Sequence, residues 1–268
     1  MAKPKFMPGD VFISKLLSGY RNFQGIELEE NFNLAGHPLY CKLQQYLKDS
    51  EHNGSLRRNP VNLSDSIIMG LIAPRFHLPN LVAKNIRISN SDLRYADLRF
   101  TRFNYAKIFN TNLEQANLAA SEIDYAHFVE DILHKASMRW VKSSVGAQLD
   151  QIEAHFVDFY NANMKKSRIR HSKFIGSKWN RANLAEMVMN FVNMDRSNIK
   201  NAKNIETCQY LSTSSFRDVE ANNEELAALE IARLRDNYRP TTIINNGNDS
   251  MIFYPMRIKE PKKVLIRK

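Results

Sequence analysis

Every fifth residue between Leu63 and Met138 is predominantly apolar, a series that includes Leu63, Ile68, Leu78, Ile88, Leu98, Ile108, Leu118, Phe128 and Met138. The residue two places earlier is small or apolar throughout, as in Val61, Ser66, Ala96, Thr101 and Ala116, with Asp131 the one exception. A period of five fits neither the 3.6 of a helix nor the 2 of a strand. The segment is therefore a tandem repeat. Such a pattern constrains shape strongly and function weakly.

The pattern resumes in a second register at Leu149 and runs through Ala154, Phe159, Met164, Ile169, Phe174, Trp179 and Leu184 to Ile199. Met138 and Leu149 are eleven positions apart, one more than two repeats, so one residue is inserted near Trp140–Gln148. A chain that turns residues i and i−2 inward and the others outward makes one turn per unit. Four units close a squarish coil of about twenty residues, and successive coils stack at about the 4.8 Å strand spacing. The large residue at i fills the axis, and the small one at i−2 lets the wall close. The ends of such a column expose apolar layers and unpaired backbone, so both need caps.

The cleanest units are SerAspLeuArgTyr at 91–95, AlaAspLeuArgPhe at 96–100, ThrAsnLeuGluGln at 111–115, AlaAsnLeuAlaAla at 116–120 and AlaAsnLeuAlaGlu at 182–186. They resemble the A-(D/N)-L-x-x consensus of the pentapeptide-repeat proteins. The resemblance covers residues 61–203 and implies an all-β solenoid, a right-handed quadrilateral β-helix of about seven coils. Pro74 and Pro79 depart from the consensus, which predicts irregularity in the first coil or two.

Four segments follow: 1–60, an N-terminal capping or partner-binding segment; 61–203, the β-helix with its slip near 143–148; 204–240, the region of a C-terminal capping helix; and 241–268, a basic tail. Within the first, Val11–Leu17 and Gly25–Leu34 flank a GlyTyrArgAsn turn and predict a hairpin. Pro38–Leu47 has helical spacing in Leu39, Tyr40, Leu43 and Leu47, and 51–60 reads as a polar linker. Asn222–Tyr238 is the best helix in the chain. Asn222 can cap it, Glu224 and Glu225 suit its first turn, and Leu226, Leu229, Ile231, Ala232 and Leu234 form an apolar stripe. It can cover the last coil, or pair with a second copy in a homodimer. The tail reads as two short strands and a basic end able to pack back or to meet an anionic surface.

No run of eighteen uncharged apolar residues appears, so no membrane span is expected. The N-terminal MetAlaLysProLys lacks the apolar core of a secretory signal. A cytoplasmic location is expected, with export by a signal-peptide-independent route left open. Cys41 and Cys208 read as reduced small hydrophobes.

No catalytic constellation, cofactor loop or metal spacing stands out. The nine glycines are scattered, and the seven histidines show no ligand spacing among themselves or with the cysteines. Serine and threonine are frequent because the i−2 slot takes small residues. The protein is thus expected not to be an enzyme and to use no cofactor.

Charge is more informative. The net +10 divides into +2 for 1–60, +7 for 61–205, −4 for 206–238 and +5 for 239–268. The best-known activity that the family resemblance implies is imitation of duplex DNA, by which a negative column binds bacterial type II topoisomerases. A phosphate-binding groove would repel a positive column. Topoisomerase binding is therefore disfavoured.

Grouping the units four to a coil places Arg99, Arg139, Lys178, Arg181 and Lys200 on one face with the aromatic residues Phe100, Trp140 and Tyr160. Arginine beside exposed rings suits a recognition surface. The alternative is that the flanks or a second subunit cover these rings. The functional expectation is a non-catalytic scaffold that binds a protein partner through a solenoid face and its non-repeat ends. Nucleic-acid or anionic-surface binding is the second choice, and delivery to host cells as a bacterial effector is a further one that the resemblance implies.

Overall fold

The computed structural model describes residues 3–237. Nine short parallel strands form one sheet in sequence order: β1 (Lys5–Met7), β2 (Ile26–Leu28), β3 (Ile67–Met69), β4 (Arg87–Ser89), β5 (Lys107–Phe109), β6 (His127–Val129), β7 (Gln148–Asp150), β8 (Arg168–Arg170) and β9 (Val188–Asn190). They make one wall of a column. Ladders of single bridges make the other three, along Asn62–Val82–Arg102–Glu122–Lys142, Ile72–Asp92–Asn112–Ile132 and His77–Asp97–Asn117–Ser137. This is the right-handed quadrilateral β-helix that the repeat resemblance implies.

The column holds together from inside and along its axis. Leu93, Leu98, Phe103 and Ile108 are buried within one coil, and Leu113, Leu118, Ile123 and Phe128 fill the next. Their backbone amides donate to the coil that follows, for example Leu93 N to Asn112 O at 2.8 Å and Leu98 N to Asn117 O at 2.8 Å. The i−2 serines bridge coils as well as saving space. Ser121 Oγ accepts from Thr101 N at 3.2 Å and donates to Leu98 O at 3.1 Å. Their hydroxyls are thereby satisfied in the wall. Toward the C-terminal end the core becomes aromatic, with Phe159 stacked on Trp179 at 4.0 Å and Phe174 edge-on to Trp179 at 5.6 Å.

Each corner demands a left-handed residue two places after the inward one. Asn80, Asn85, Asn90 and Asn110 meet this demand with φ between 46 and 63°, and Gly70, Gly146 and Gly176 also sit at corners. Tyr95, Phe100, Tyr105, Tyr125 and Trp140 adopt the same conformation with φ between 55 and 62°, although bulky side chains ordinarily avoid it. The column thus carries large rings at its edges, held outward by the backbone.

Coil spacing is twenty residues up to Glu122–Lys142 and twenty-one in Lys142–Asn163 and His127–Gln148. The extra residue lies between Lys142 and Gln148, where Gly146 has φ 105°. A Cβ there would stand 2.5 Å from Lys166 O, so the turn requires glycine on grounds of both angle and space.

The N-terminal segment differs from the expected hairpin. Val11–Leu17 lies within a helix, α1 (Gly9–Leu17), which buries Phe12, Ile13 and Leu16. β2, within Gly25–Leu34, pairs in parallel with β1 and β3. Residues 21–34 continue the coil geometry, as the Asn22–Asn62 and Asn33–Ile72 bridges show. Phe23, Leu28 and Leu34 fill its inward places, but their spacing is too irregular to read as a repeat. The next helix, α2 (Tyr40–His52), buries Leu43 and Leu47 and runs further than the spacing predicts. The expected linker contains a short helix, α3 (Ser55–Arg58), with Leu56 buried.

The C-terminal helix α4 (Asn223–Asn237) packs on the 3-10 turns at Ile205–Thr207 and Leu211–Thr213. Glu225 ties it to the column, accepting from Asn201 N at 2.9 Å and from Asn222 N at 2.6 Å. Leu229 and Ala232 are buried, whereas Leu226, Ile231 and Leu234 are exposed. Only part of the expected stripe faces the column. Residues 239–268, where the tail strands were expected, lie outside the described residues, as do Tyr238 and Pro240. Among the described residues no helix is long and apolar enough to cross a membrane.

Candidate functional surface

The eight residues of the basic-aromatic face do not form one surface. Four of them do come together. Arg139 lies over both Trp140 and Tyr160, 4.6 and 4.9 Å from the ring centres. Trp140 and Tyr160 meet edge to face at 6.0 Å. Arg181 packs on Tyr160 at 5.7 Å and donates to its hydroxyl at 3.0 Å. Trp140 occupies a corner and is 45% exposed, while Tyr160 follows the inward residue Phe159 directly. The stack therefore rises diagonally over three coils. Lys178 is exposed on the same wall, bridged through its backbone to Asp158 and Asn198.

The others are separated or occupied. Phe100 is exposed, but the corner between it and Trp140 is Ala120, so the two rings do not touch through the column. Lys200 is paired with Glu220 at 2.5 Å. Arg99 is held by Asp97 at 2.6 Å and by Glu51 of α2 at 2.9 Å.

Arg99 belongs to a cluster that spacing alone did not reveal. His77 lies with Nε2 2.8 Å from Glu51 and Nδ1 3.1 Å from Asp97. Burial would raise the Asp97 carboxyl, but hydrogen bonds from Arg99 and His77, and the charge of Arg99, hold it well below the usual carboxylate range. Glu51, His77 and Asp97 are the one group among the described residues with donors close enough to hold a metal ion. Arg99 already bridges the two carboxylates, and the two imidazole nitrogens face opposite partners. The donor set suits a clamp of α2 on the column better than a metal centre. No signal links Glu51 to the repeats in the sequence, because α2 brings it there.

A second aromatic pair also escaped the face grouping. Tyr105 and Tyr125, exposed corner residues of consecutive coils, stack at 4.9 Å with 13° between their planes. Their separation of twenty would have found them had corners, rather than inward residues, been aligned. Cys41 and Cys208 are free, and burial pushes the Cys208 thiol up to about 12, so it is inert at neutral pH.

Residues 84–119 match the family model of pentapeptide repeats, in eight copies. Those residues carry the pentapeptide repeats of that family. Among solved structures it is similar to HetL, a pentapeptide-repeat protein involved in heterocyst differentiation regulation from the cyanobacterium Nostoc sp. strain PCC 7120, at 17% identity and a TM-score of 0.30, over 80% of this chain and 96% of that one. It is also similar to trypsin-treated QnrB1 M102R, a plasmid-mediated fluoroquinolone resistance protein, at 12% identity and a TM-score of 0.31, over 63% of this chain and 93% of that one. A third is Rfr23, a pentapeptide-repeat protein from the cyanobacterium Cyanothece 51142, at 12% identity and a TM-score of 0.21, over 66% and 96% of the two chains. No curated protein matches the sequence.

Proposed function

We propose that this protein is a non-catalytic scaffold that binds a protein partner through the wall bearing Arg139, Trp140, Tyr160 and Arg181. The observation that carries this reading is the half-exposed Trp140 packed against Arg139 and Tyr160. Tryptophan, tyrosine and arginine supply most hot spots of protein interfaces. Rings fixed in advance by a β-helical backbone lose little freedom on binding. In this reading the column displays the contact, and the N- and C-terminal segments adjust partner choice from a cytoplasmic location.

The test is capture of partners by full-length protein from extracts, followed by measured affinity for each. The double variant Trp140→Ala/Tyr160→Ala should weaken a true partner at least about thirtyfold, as loss of two hot-spot rings implies. Unchanged affinity for every captured protein would sink the reading. The positive column argues against a topoisomerase target. Inhibition of gyrase supercoiling by the purified protein would overturn that part.

A second reading is self-association through α4, supported by the exposed Leu226, Ile231 and Leu234. Light scattering of the wild type and of Ile231→Glu distinguishes it: a dimer that dissociates in the variant supports it, and a monomeric wild type removes it.

A further inference from the structure

The corner carrying Tyr105 and Tyr125 combines features that neither the repeat architecture nor the Trp140 wall requires. The two rings are 55% and 52% exposed, and they stack nearly parallel. The corner residue of the next coil is Gly146, which adds no side chain to continue the stack. Beside the rings, on the sheet wall, Arg87, Lys107 and His127 occupy consecutive rungs in direct register. Arg87 and Lys107 are exposed and form no ion pair within the described residues. Like charges placed directly opposite one another in a sheet are destabilising, so their pairing calls for an anion.

The cationic edge continues in both directions. On one side a groove of about 520 Å³ opens between Lys3, Gln24, Asp65, Asn85 and Arg87. On the other, beyond Gly146, stand Lys165, Lys166 and Arg168. The acids of this edge are largely occupied. Asp65 accepts from Gln24 and Asn85 at 2.8 and 2.9 Å. Asp124 accepts the Ser144 and Val145 amides at 2.6 and 3.2 Å. Glu186 lies 3.8 and 3.7 Å from Lys165 and Lys166.

We propose that this edge binds single-stranded nucleic acid. A base stacks against the exposed Tyr105–Tyr125 pair, and the backbone phosphates on either side meet Arg87 and Lys107, and Arg168. The combination selects this partner class. An acidic peptide would satisfy the cations and leave the ring faces unused. A duplex would satisfy them too, but its bases are already paired and stacked within. An unpaired strand supplies both a repeating negative charge and free planar faces.

The experiment is fluorescence anisotropy of the full-length protein with labelled fifteen-residue oligo-dT and oligo-U, a duplex of equal length and a poly-glutamate peptide, over a NaCl series. Both single strands should bind more tightly than the duplex or the peptide. Tyr105→Ala/Tyr125→Ala should weaken them at least about tenfold with the salt slope unchanged. Alanine is compatible with such a corner, since Ala120 occupies one with φ 58°. Arg87→Gln/Lys107→Gln should lower the salt slope by about 1.4, or about 0.7 per lost phosphate contact. Lys135→Gln/Arg196→Gln, at the opposite corner of the column, should change neither. The proposal is overturned if no strand binds at low salt, if duplex or peptide binds as well as the strands, or if the distant pair matters as much as the tyrosines.

Discussion

Asp131 occupies an inward slot that elsewhere holds small or apolar residues, and it is fully buried. Its carboxyl accepts the Thr111 amide at 2.7 Å and the Val129 amide at 3.1 Å. Burial outweighs these bonds and raises its pKa from 3.8 to about 7. The folded protein therefore holds a proton that the unfolded chain releases above pH 3.8, and stability falls as pH rises from about 4 to about 7. The loss is on the order of 4 kcal/mol. Asp131→Ser should remove this slope, and thermal melts at pH 4.5, 6 and 8 will show it; a wild-type melting point that rises across this range would contradict the argument. The sequence marked Asp131 as the one misfit in its series, but nothing in the series distinguishes a buried acid from a locally opened wall. The corner angles were equally hidden, because the outward positions of the repeat vary too much to disclose a shared φ.

At the scale of elements, the clamp on α2 is the feature that spacing could not reach. Glu51 and Arg99 are far apart in sequence and meet only because α2 lies along the coils. Glu51→Gln should loosen α2 by about 1–2 kcal/mol, a value suited to a half-exposed charge network. Hydrogen exchange at the α2 amides, including Leu43 and Leu47, should accelerate while the central coils stay protected. Acid acts on the same contact. The lowered Asp97 carboxyl contributes stability above the ordinary value of 3.8, and this contribution is lost as pH falls below it. At the other end, Glu225→Ala removes the acceptor of the Asn222 amide and the tie to Asn201. It should cost about 1 kcal/mol and show as earlier fraying of α4 by circular dichroism. Helices with strong spacing, α2 and α4, were legible in the sequence. α1 was not, because its short apolar run of Phe12, Ile13 and Leu16 is as compatible with a strand as with a helix.

For the whole molecule, architecture was legible because one physical requirement recurs in every coil. Leu98, Leu118 and Met138 answer the same need for axial filling, so the periodicity survives variation at any one of them. The surface has no such redundancy. Arg139, Trp140, Tyr160 and Arg181 converge, while Phe100 stands apart, because a side chain's neighbours depend on corner or wall position and on the added residue before Gln148. The column should also behave as a stack of nearly independent layers. Duplicating residues 101–120 should give a folded protein about 4.8 Å longer, measurable by small-angle scattering. Inserting one residue within the same coil should instead disrupt packing and lower the melting point.

The twenty-residue coil makes sequence position a coordinate. Moving twenty residues along the chain lifts a side chain one rung on the same wall, and moving five carries it around to the next. Below Lys142 this ruler has one zero, and above Gln148 it has another, displaced by a single mark. Each outward column can therefore be rewritten alone, one letter per rung, without disturbing the axis. Any pattern meant to run from Asn62 to Lys203 must be spelled in two frames.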